Sequence, residues 1–270
     1  MPELPEVETV VRGLRPLLVG KRLDRVIVRR PDLRRPFPPD LGQRLTGATV
    51  LAIRRRAKYG LVDTDRGDTL IFHLGMSGKF RPLTGDPEAH DHVIFGIGPL
   101  LLAYHDPRRF GSMDLAPTNA AHDHPLLARL GPEPLDALFS GPWLAACAQG
   151  RITPVKALLL DQHVVAGIGN IYACEALFAA GINPARRAGH IAPARLARLA
   201  DAVKLVLADA IRAGGSTLRD HAQVTGEQGT FQHSFRVYGR EGAACTACGT
   251  IVRRRIQAGR STFHCPQCQR

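Results

Sequence analysis

Two stretches of the chain carry residues whose types and spacing could do chemistry: Met1-Pro2-Glu3-Leu4-Pro5-Glu6 at the start and four cysteines near the end. An initiator Met before a small residue such as Pro2 is normally excised, which would leave Pro2 as a free secondary amine. An α-amino group titrates near ~7.7–8.0, so a fraction of it is unprotonated and nucleophilic at neutral pH. With the carboxylate of Glu3 adjacent, that amine suggests Schiff-base chemistry with an acid/base partner. The bland alternative is a disordered end, as chain termini usually are. At the other end, Cys245, Cys248, Cys265 and Cys268 form C-x2-C-x16-C-x2-C. That spacing supplies four thiolates for one tetrahedral Zn2+, a closed and therefore structural site. Between and around them lie seven arginines against one acid, Glu241, over residues 236–270, the charge pattern of a DNA-contacting arm.

Other clusters are more ambiguous. Gly167-Ile168-Gly169-Asn170 reads as a tight turn with Asn170 as a possible helix cap, or as a backbone cradle for phosphate. Lys58, in the basic run Arg54-Arg55-Arg56-Ala57-Lys58-Tyr59, faces solvent, points at phosphate or titrates in a site; the chain has only five lysines, so lysine chemistry has few candidates. His73-Leu74-Gly75-Met76-Ser77-Gly78 and Asp106-Pro107-Arg108-Arg109-Phe110-Gly111 place a Met and a Phe among turn residues. Either side chain could be core, or a wedge that fills the hole left by an extruded base. His90-Asp91-His92 fits a polar contact better than a metal site, because no further ligand is near in sequence. No P-loop, dinucleotide fingerprint or zinc-protease motif is present.

The elements that must position these residues follow from periodicity. Apolar residues at Val7, Val10, Val11, Leu14, Leu17 and Leu18 predict a helix from Pro5 that ends at Gly20, with Pro5 in its first turn and Glu3 and Glu6 at its positive end. Short β-branched or alternating runs at 23–29, 49–54, 61–63, 69–74, 92–97 and 100–105 predict a two-layer β-structure. A Pro-, His- and Asp-rich stretch over 117–134 reads as a hinge. Helices are expected at 142–148, 154–160, 168–180 and 192–213, with Ser216 a possible cap for a short successor and a Gly-containing loop at 225–229. Cys147 and Cys174 read as small buried hydrophobes.

With 270 residues, 44% of them apolar, and a net charge of +12, the composition is that of a globular chain with a polyanionic partner. No apolar run reaches the ~20 residues needed to span a bilayer, and no signal-peptide pattern opens the chain, so a bacterial cytosolic protein is expected.

Taken together and in order, Pro2-Glu3-Leu4-Pro5-Glu6, Arg55-Arg56-Ala57-Lys58-Tyr59, the Met76 and Phe110 motifs, His90-Asp91-His92, Leu130-Gly131-Pro132-Glu133-Pro134-Leu135, residues 167–172 and the cysteine module with Arg260 resemble the bacterial formamidopyrimidine-DNA glycosylase family. The resemblance spans the whole chain. It implies an α+β multidomain fold: a catalytic helix and β-sandwich over 1–118, a hinge over 119–135, a helix–two-turn–helix domain over 136–235 and a zinc finger over 236–270, with DNA between the domains. It further implies base-excision repair of oxidised purines in double-stranded DNA by a monomeric enzyme, with one structural Zn2+ and no nucleotide cofactor.

By the same resemblance Pro2 is the nucleophile at C1′ of the damaged nucleotide and Glu3 the acid/base on its sugar, while Lys58 and Arg260 are proton donors or phosphate contacts. His90, Arg108, Arg151 and Asn170 correspond to DNA-contacting positions, and His73 to a further phosphate contact. Met76, Arg108 and Phe110 correspond to the residues that occupy the vacated stack. The family often has lysine where this chain has Arg151; arginine still holds phosphate there.

Two other readings stay open on the residues. One is an endonuclease VIII-type enzyme of the same fold, acting on oxidised pyrimidines. The other is a non-enzymatic zinc-containing DNA-binding protein, which leaves the Pro2–Glu3 pair without a purpose.

Overall fold

A computed structural model describes residues 2–217 and 229–270. The chain forms two compact units, one of residues 1–128 with 213–230 and the other of residues 129–212 with 231–270.

The first unit opens with α1 (Leu4–Leu18), whose stripe of Val7, Val10, Val11, Leu14 and Leu18 is buried. Each such side chain contributes about 2 kcal/mol when removed from water. The helix stops at Val19, and Gly20 turns the chain with φ 75°. The strands are β1 (Arg25–Val28), β2 (Val50–Arg56), β3 (Tyr59–Thr64), β4 (Asp68–His73), β5 (Lys79–Pro82), β6 (Asp91–Ile97), β7 (Leu100–His105) and β8 (Ser112–Pro117). They pair antiparallel into two four-stranded sheets, ordered β1-β6-β7-β5 and β2-β3-β4-β8. Phe95, Leu102 and Tyr104 of the first sheet share one core with Val62, Leu70 and Phe72 of the second and with the apolar stripe of α1. Phe72 and Phe80 meet edge to face across the layers at 4.9 Å. A short helix, α2 (Leu41–Leu45), buries Leu41 and Leu45.

The β-sandwich expected from the alternating runs is therefore present. Strands β5 and β8 and the helix α2 lie outside those runs and were not expected. Both added strands sit at sheet edges. Each ends in proline, which an edge tolerates because its absent N–H is not needed by a neighbour.

The second unit holds α3 (Gly141–Ala148), α4 (Val155–Leu160), α5 (Asn170–Ala179) and α6 (Pro193–Arg212), then the hairpin β9 (Arg253–Gln257) and β10 (Arg260–His264). Ser140 caps α3 by accepting the Trp143 N–H. Gly169, not Asn170, is the N-cap of α5, so the expected Asn cap is corrected: Asn170 is the first helical residue. Ser216 is likewise engaged elsewhere, in the first unit, and the Gly-containing loop expected at 225–229 lies outside the described residues except for Gly229.

Candidate active site and metal centre

Pro2 and Glu3 are buried, not frayed. Glu3 is the N-cap of α1, and Glu3 and Glu6 form a reciprocal capping box in which Glu6 Oε2 accepts the Glu3 N–H at 2.8 Å. The other oxygen of Glu6 accepts the backbone N–H of Ser216 at 2.8 Å and its hydroxyl at 3.0 Å. Glu6 is itself only 2% exposed. One carboxylate thus joins the first turn of α1 to a distant segment of the same unit. Gly215 makes the approach possible: with φ 80° it adopts the left-handed region, and an added Cβ would lie 3.1 Å from Glu6 Oε1.

A second carboxylate fixes α1 to the sheet. Glu8 receives Arg12 Nε at 2.8 Å and Arg55 Nε at 2.9 Å, and Arg55 also donates to the Ala57 carbonyl at 3.1 Å. Burial opposes ionisation of Glu8, but the two guanidiniums prevail and hold its carboxyl below the usual range. Ala57, at φ 53°, turns β2 into β3, and the next residue is Lys58, 7% exposed. Lys58 lies close enough to His73 to repel a proton from its ring. Burial is the larger cause, and together with Lys58 and Arg34 it brings the His73 pKa down to about 4. His73 Nδ1 accepts the Gly75 N–H at 3.0 Å, which requires the neutral ring. His73 can therefore offer a phosphate only its Nε2–H, not a full positive charge.

Met76 and Phe110 are on the surface, 40% and 42% exposed, so the core reading of these residues is set aside. Their loops brace each other. Ser77 Oγ donates to Asp106 Oδ1 at 2.6 Å and accepts the Arg108 N–H at 3.2 Å, while Asp106 Oδ2 accepts the Gly111 N–H at 2.8 Å. Gly75, at φ 61°, passes so close that a Cβ would sit 2.3 Å from the Phe110 carbonyl carbon. The Arg108 guanidinium lies 5.1 Å from the centroid of the Phe110 ring. An exposed Met, Arg and Phe are thus presented together.

His90 is exposed, and its ring meets those of His92 at 6.3 Å and His105 at 6.0 Å. A third imidazole is near after all, brought by β7. His105 Nδ1 is bonded to Asp91 at 2.9 Å and His92 Nε2 to the Asp106 carbonyl at 2.9 Å. Arg81 grips the same Asp91 at 3.1 and 2.6 Å. Among the described residues, the only grouping of potential metal ligands is the four cysteines.

In the second unit Arg151 is exposed after α3, its N–H bonded to the Ala148 carbonyl at 3.0 Å. Asn170 Nδ2 donates to the Ser261 carbonyl at 2.9 Å. Arg260 is exposed at the start of β10, after the turn Ala258-Gly259, both residues with positive φ. The sulfurs of Cys245, Cys248, Cys265 and Cys268 lie within 4.8 Å of one another, with Cys248–Cys265 at 3.5 Å and Cys245–Cys268 at 3.9 Å. Tetrahedral Zn–S bonds of ~2.3 Å place sulfurs about 3.8 Å apart, so the four fit one Zn2+. Backbone N–H groups of Ala247 and Cys268 point at Cys245 and Cys265 sulfur, at 3.5 and 3.4 Å, as donors to thiolates do. The module is anchored by Glu175 of α5, which accepts the N–H groups of Arg236, Val237 and Tyr238 at 2.8–3.0 Å.

Glu8 and Glu175 gain these roles only in the folded chain, and nothing in their sequence surroundings marks them out. Glu6 is a different case. Its dipole role was legible, and Glu3-x-x-Glu6 also has the spacing of a capping box.

The helix–sandwich unit, the helical unit and the four-thiolate hairpin together have counterparts among known proteins. Residues 1–113 match the formamidopyrimidine-DNA glycosylase N-terminal domain and residues 130–222 its H2TH domain. The formamidopyrimidine-DNA glycosylase of Rhizorhabdus wittichii is 57% identical and that of Sphingopyxis alaskensis 56%, both over the full length of both chains. Among solved structures, the MutM (Fpg) protein of Thermus thermophilus superposes with a TM-score of 0.90 at 43% identity, covering 99% of this chain and 98% of its own. The Lactococcus lactis Fpg in complex with abasic-site DNA gives 0.92 at 34% identity, covering 99% of each chain. The chain belongs to the formamidopyrimidine-DNA glycosylase family.

Proposed function

We infer that this protein is a bifunctional DNA glycosylase and AP lyase that removes oxidised purines from duplex DNA. The observation that carries the reading is the buried Pro2–Glu3 pair, held at the N-cap of α1 by Glu6.

A base inside a duplex cannot be reached, so the nucleotide leaves the stack at a cost of a few kcal/mol. Met76, Arg108 and Phe110 fill the vacancy, and His90, Arg151 and Asn170 hold phosphates. Once Met1 is excised, the lone pair of the Pro2 amine attacks C1′, the C1′–N9 bond breaks, and the base departs with the proton that the amine gives up. Glu3 protonates the sugar ring oxygen as the ring opens to an iminium. That cation acidifies the C2′ proton; its removal expels the 3′ phosphate by β-elimination, and a second elimination expels the 5′ phosphate. A one-nucleotide gap with phosphate ends remains. Lys58 and Arg260 serve as proton donors or phosphate contacts, with Lys58 beside the neutral His73. Zinc, when bound, holds the hairpin that carries Arg260 and takes no part in bond-breaking. The four-part division at residues 118, 135 and 235 and a place in the bacterial cytosol belong to the same reading. Among the described residues, no helix is long and apolar enough to cross a membrane.

Incubation with an 8-oxoguanine:C duplex and borohydride tests this. A covalent adduct mapping to Pro2 is expected. Trapping only with oxidised pyrimidines favours the endonuclease VIII-type alternative, and no adduct with any oxidised duplex sinks the Schiff-base mechanism.

A further inference from the structure

Lys156, on α4, is one of the five lysines of the chain and is only 1% exposed. An ammonium group buried to that degree is costly unless its donors are matched. Its Nζ donates to Thr262 Oγ1 at 2.6 Å and to the Ser261 carbonyl at 3.2 Å, both on β10. The same Ser261 carbonyl receives Asn170 Nδ2 from α5 at 2.9 Å. One carbonyl oxygen therefore gathers a buried cation and the Asn170 side chain immediately beside Arg260.

A two-stranded hairpin of this size has little stability of its own, so its direction depends on what it packs against. Thr262 is fully buried and Arg260 is exposed two residues earlier on the same strand. The buried bonds to residues 261 and 262 consequently fix where the exposed guanidinium of Arg260 begins. We propose that Lys156 is a positioning residue: through Ser261 and Thr262 it sets Arg260 in the geometry needed at the lesion phosphates. It touches no substrate itself. The proposal rests on the functional reading above, in which Arg260 acts at the lesion.

The test is a double-mutant cycle on the full-length zinc-loaded protein, read as the single-turnover rate of nicking an 8-oxoguanine:C duplex. Misplacing a group by about 1 Å can cost up to ~100-fold in rate. Lys156→Met is expected to lower the rate at least about 10-fold while keeping its zinc, and to change it by less than about 2-fold in an Arg260→Ala background, because coupled residues are not additive. A merely structural role would lower the rate by the same factor in both backgrounds. That result, or a Lys156→Met protein as fast as wild type, overturns the proposal. If Lys156→Met does not fold, Thr262→Val takes its place in the same cycle, with the same outcomes read the same way. A wild-type protein inactive on the duplex would instead count against the proposed function.

Discussion

Glu6 Oε1 accepts both the backbone N–H and the hydroxyl of Ser216, a residue 210 positions further along the chain. The other oxygen of the same carboxylate holds the Glu3 N–H. The order of the N-terminal turn is therefore supported from far away in sequence. Ser216→Ala removes one hydrogen bond to a charged acceptor, worth about 1.5–3 kcal/mol. Chemical denaturation should show that loss, and the rate of borohydride trapping at Pro2 should fall with it. Unchanged stability and trapping would mean that the hydroxyl contributes nothing to the turn.

His73 gives the first unit an acid-sensitive stability. Its pKa is about 4 when folded against an ordinary 6.5, so between those values the unfolded chain binds a proton that the folded chain does not. Stability is present above pH 6.5 and is lost as pH falls toward 4, by up to about 3 kcal/mol. His73→Asn, which keeps an acceptor for the Gly75 N–H but cannot titrate, should flatten the pH dependence in that window. Denaturation midpoints at several pH values for both proteins check this.

Gly75→Ala should be among the most damaging small substitutions in the first unit. Alanine at φ 61° costs roughly 1–2 kcal/mol from backbone strain alone. The new Cβ would also collide with the Phe110 carbonyl carbon, 2.3 Å away. The loops that carry Met76 and Phe110 must then separate. Excision of 8-oxoguanine from duplex should fall more than cleavage of an abasic site in single-stranded DNA, where no stack needs filling. Equal losses on both substrates would contradict a wedge role.

Phe110→Ala tests the same surface without touching the backbone. The ring is exposed, so stability should change by less than about 0.5 kcal/mol, whereas duplex excision should slow. A 2-aminopurine reporter opposite or beside the lesion would register the loss of unstacking directly.

Removing the metal should act on binding and not on the chemistry of Pro2. Cys265→Ser, at a fully buried ligand, is expected to lose zinc and affinity for DNA together. Full DNA binding by a zinc-free protein would contradict the role given to the hairpin.

The parts of this molecule with a regular pattern in sequence are the legible ones. The buried stripe of α1 follows the helical spacing of Val7, Val10, Val11 and Leu14, and the central strands β3, β4, β6 and β7 follow their apolar runs. The cysteine spacing anticipates the sulfur cluster. What stays hidden is whatever depends on a partner remote in sequence. Ser216 resembles a helix cap because local pattern cannot show that its hydroxyl meets Glu6. Lys156 looks like any lysine in an apolar helix until β10 supplies its acceptors. Glu175 sits in a helix with no polar face to mark it, yet its burial raises its pKa while three backbone N–H groups favour the charged form. The third histidine beside His90 comes from strand pairing, which residue spacing alone does not reveal.

The unit that carries Pro2 is assembled from two separate stretches, residues 1–128 and 213–230. On a ribosome, the chain emerges from its N-terminus and cannot supply Ser216 until most of it has been synthesised. Helix α1 and the sandwich can collapse early, but the bonds that close around Glu6 must form late, after α3 to α6 of the second unit have been made. The N-terminal turn is made first and locked last, so a nascent or truncated chain would carry Pro2 without the support that orders it.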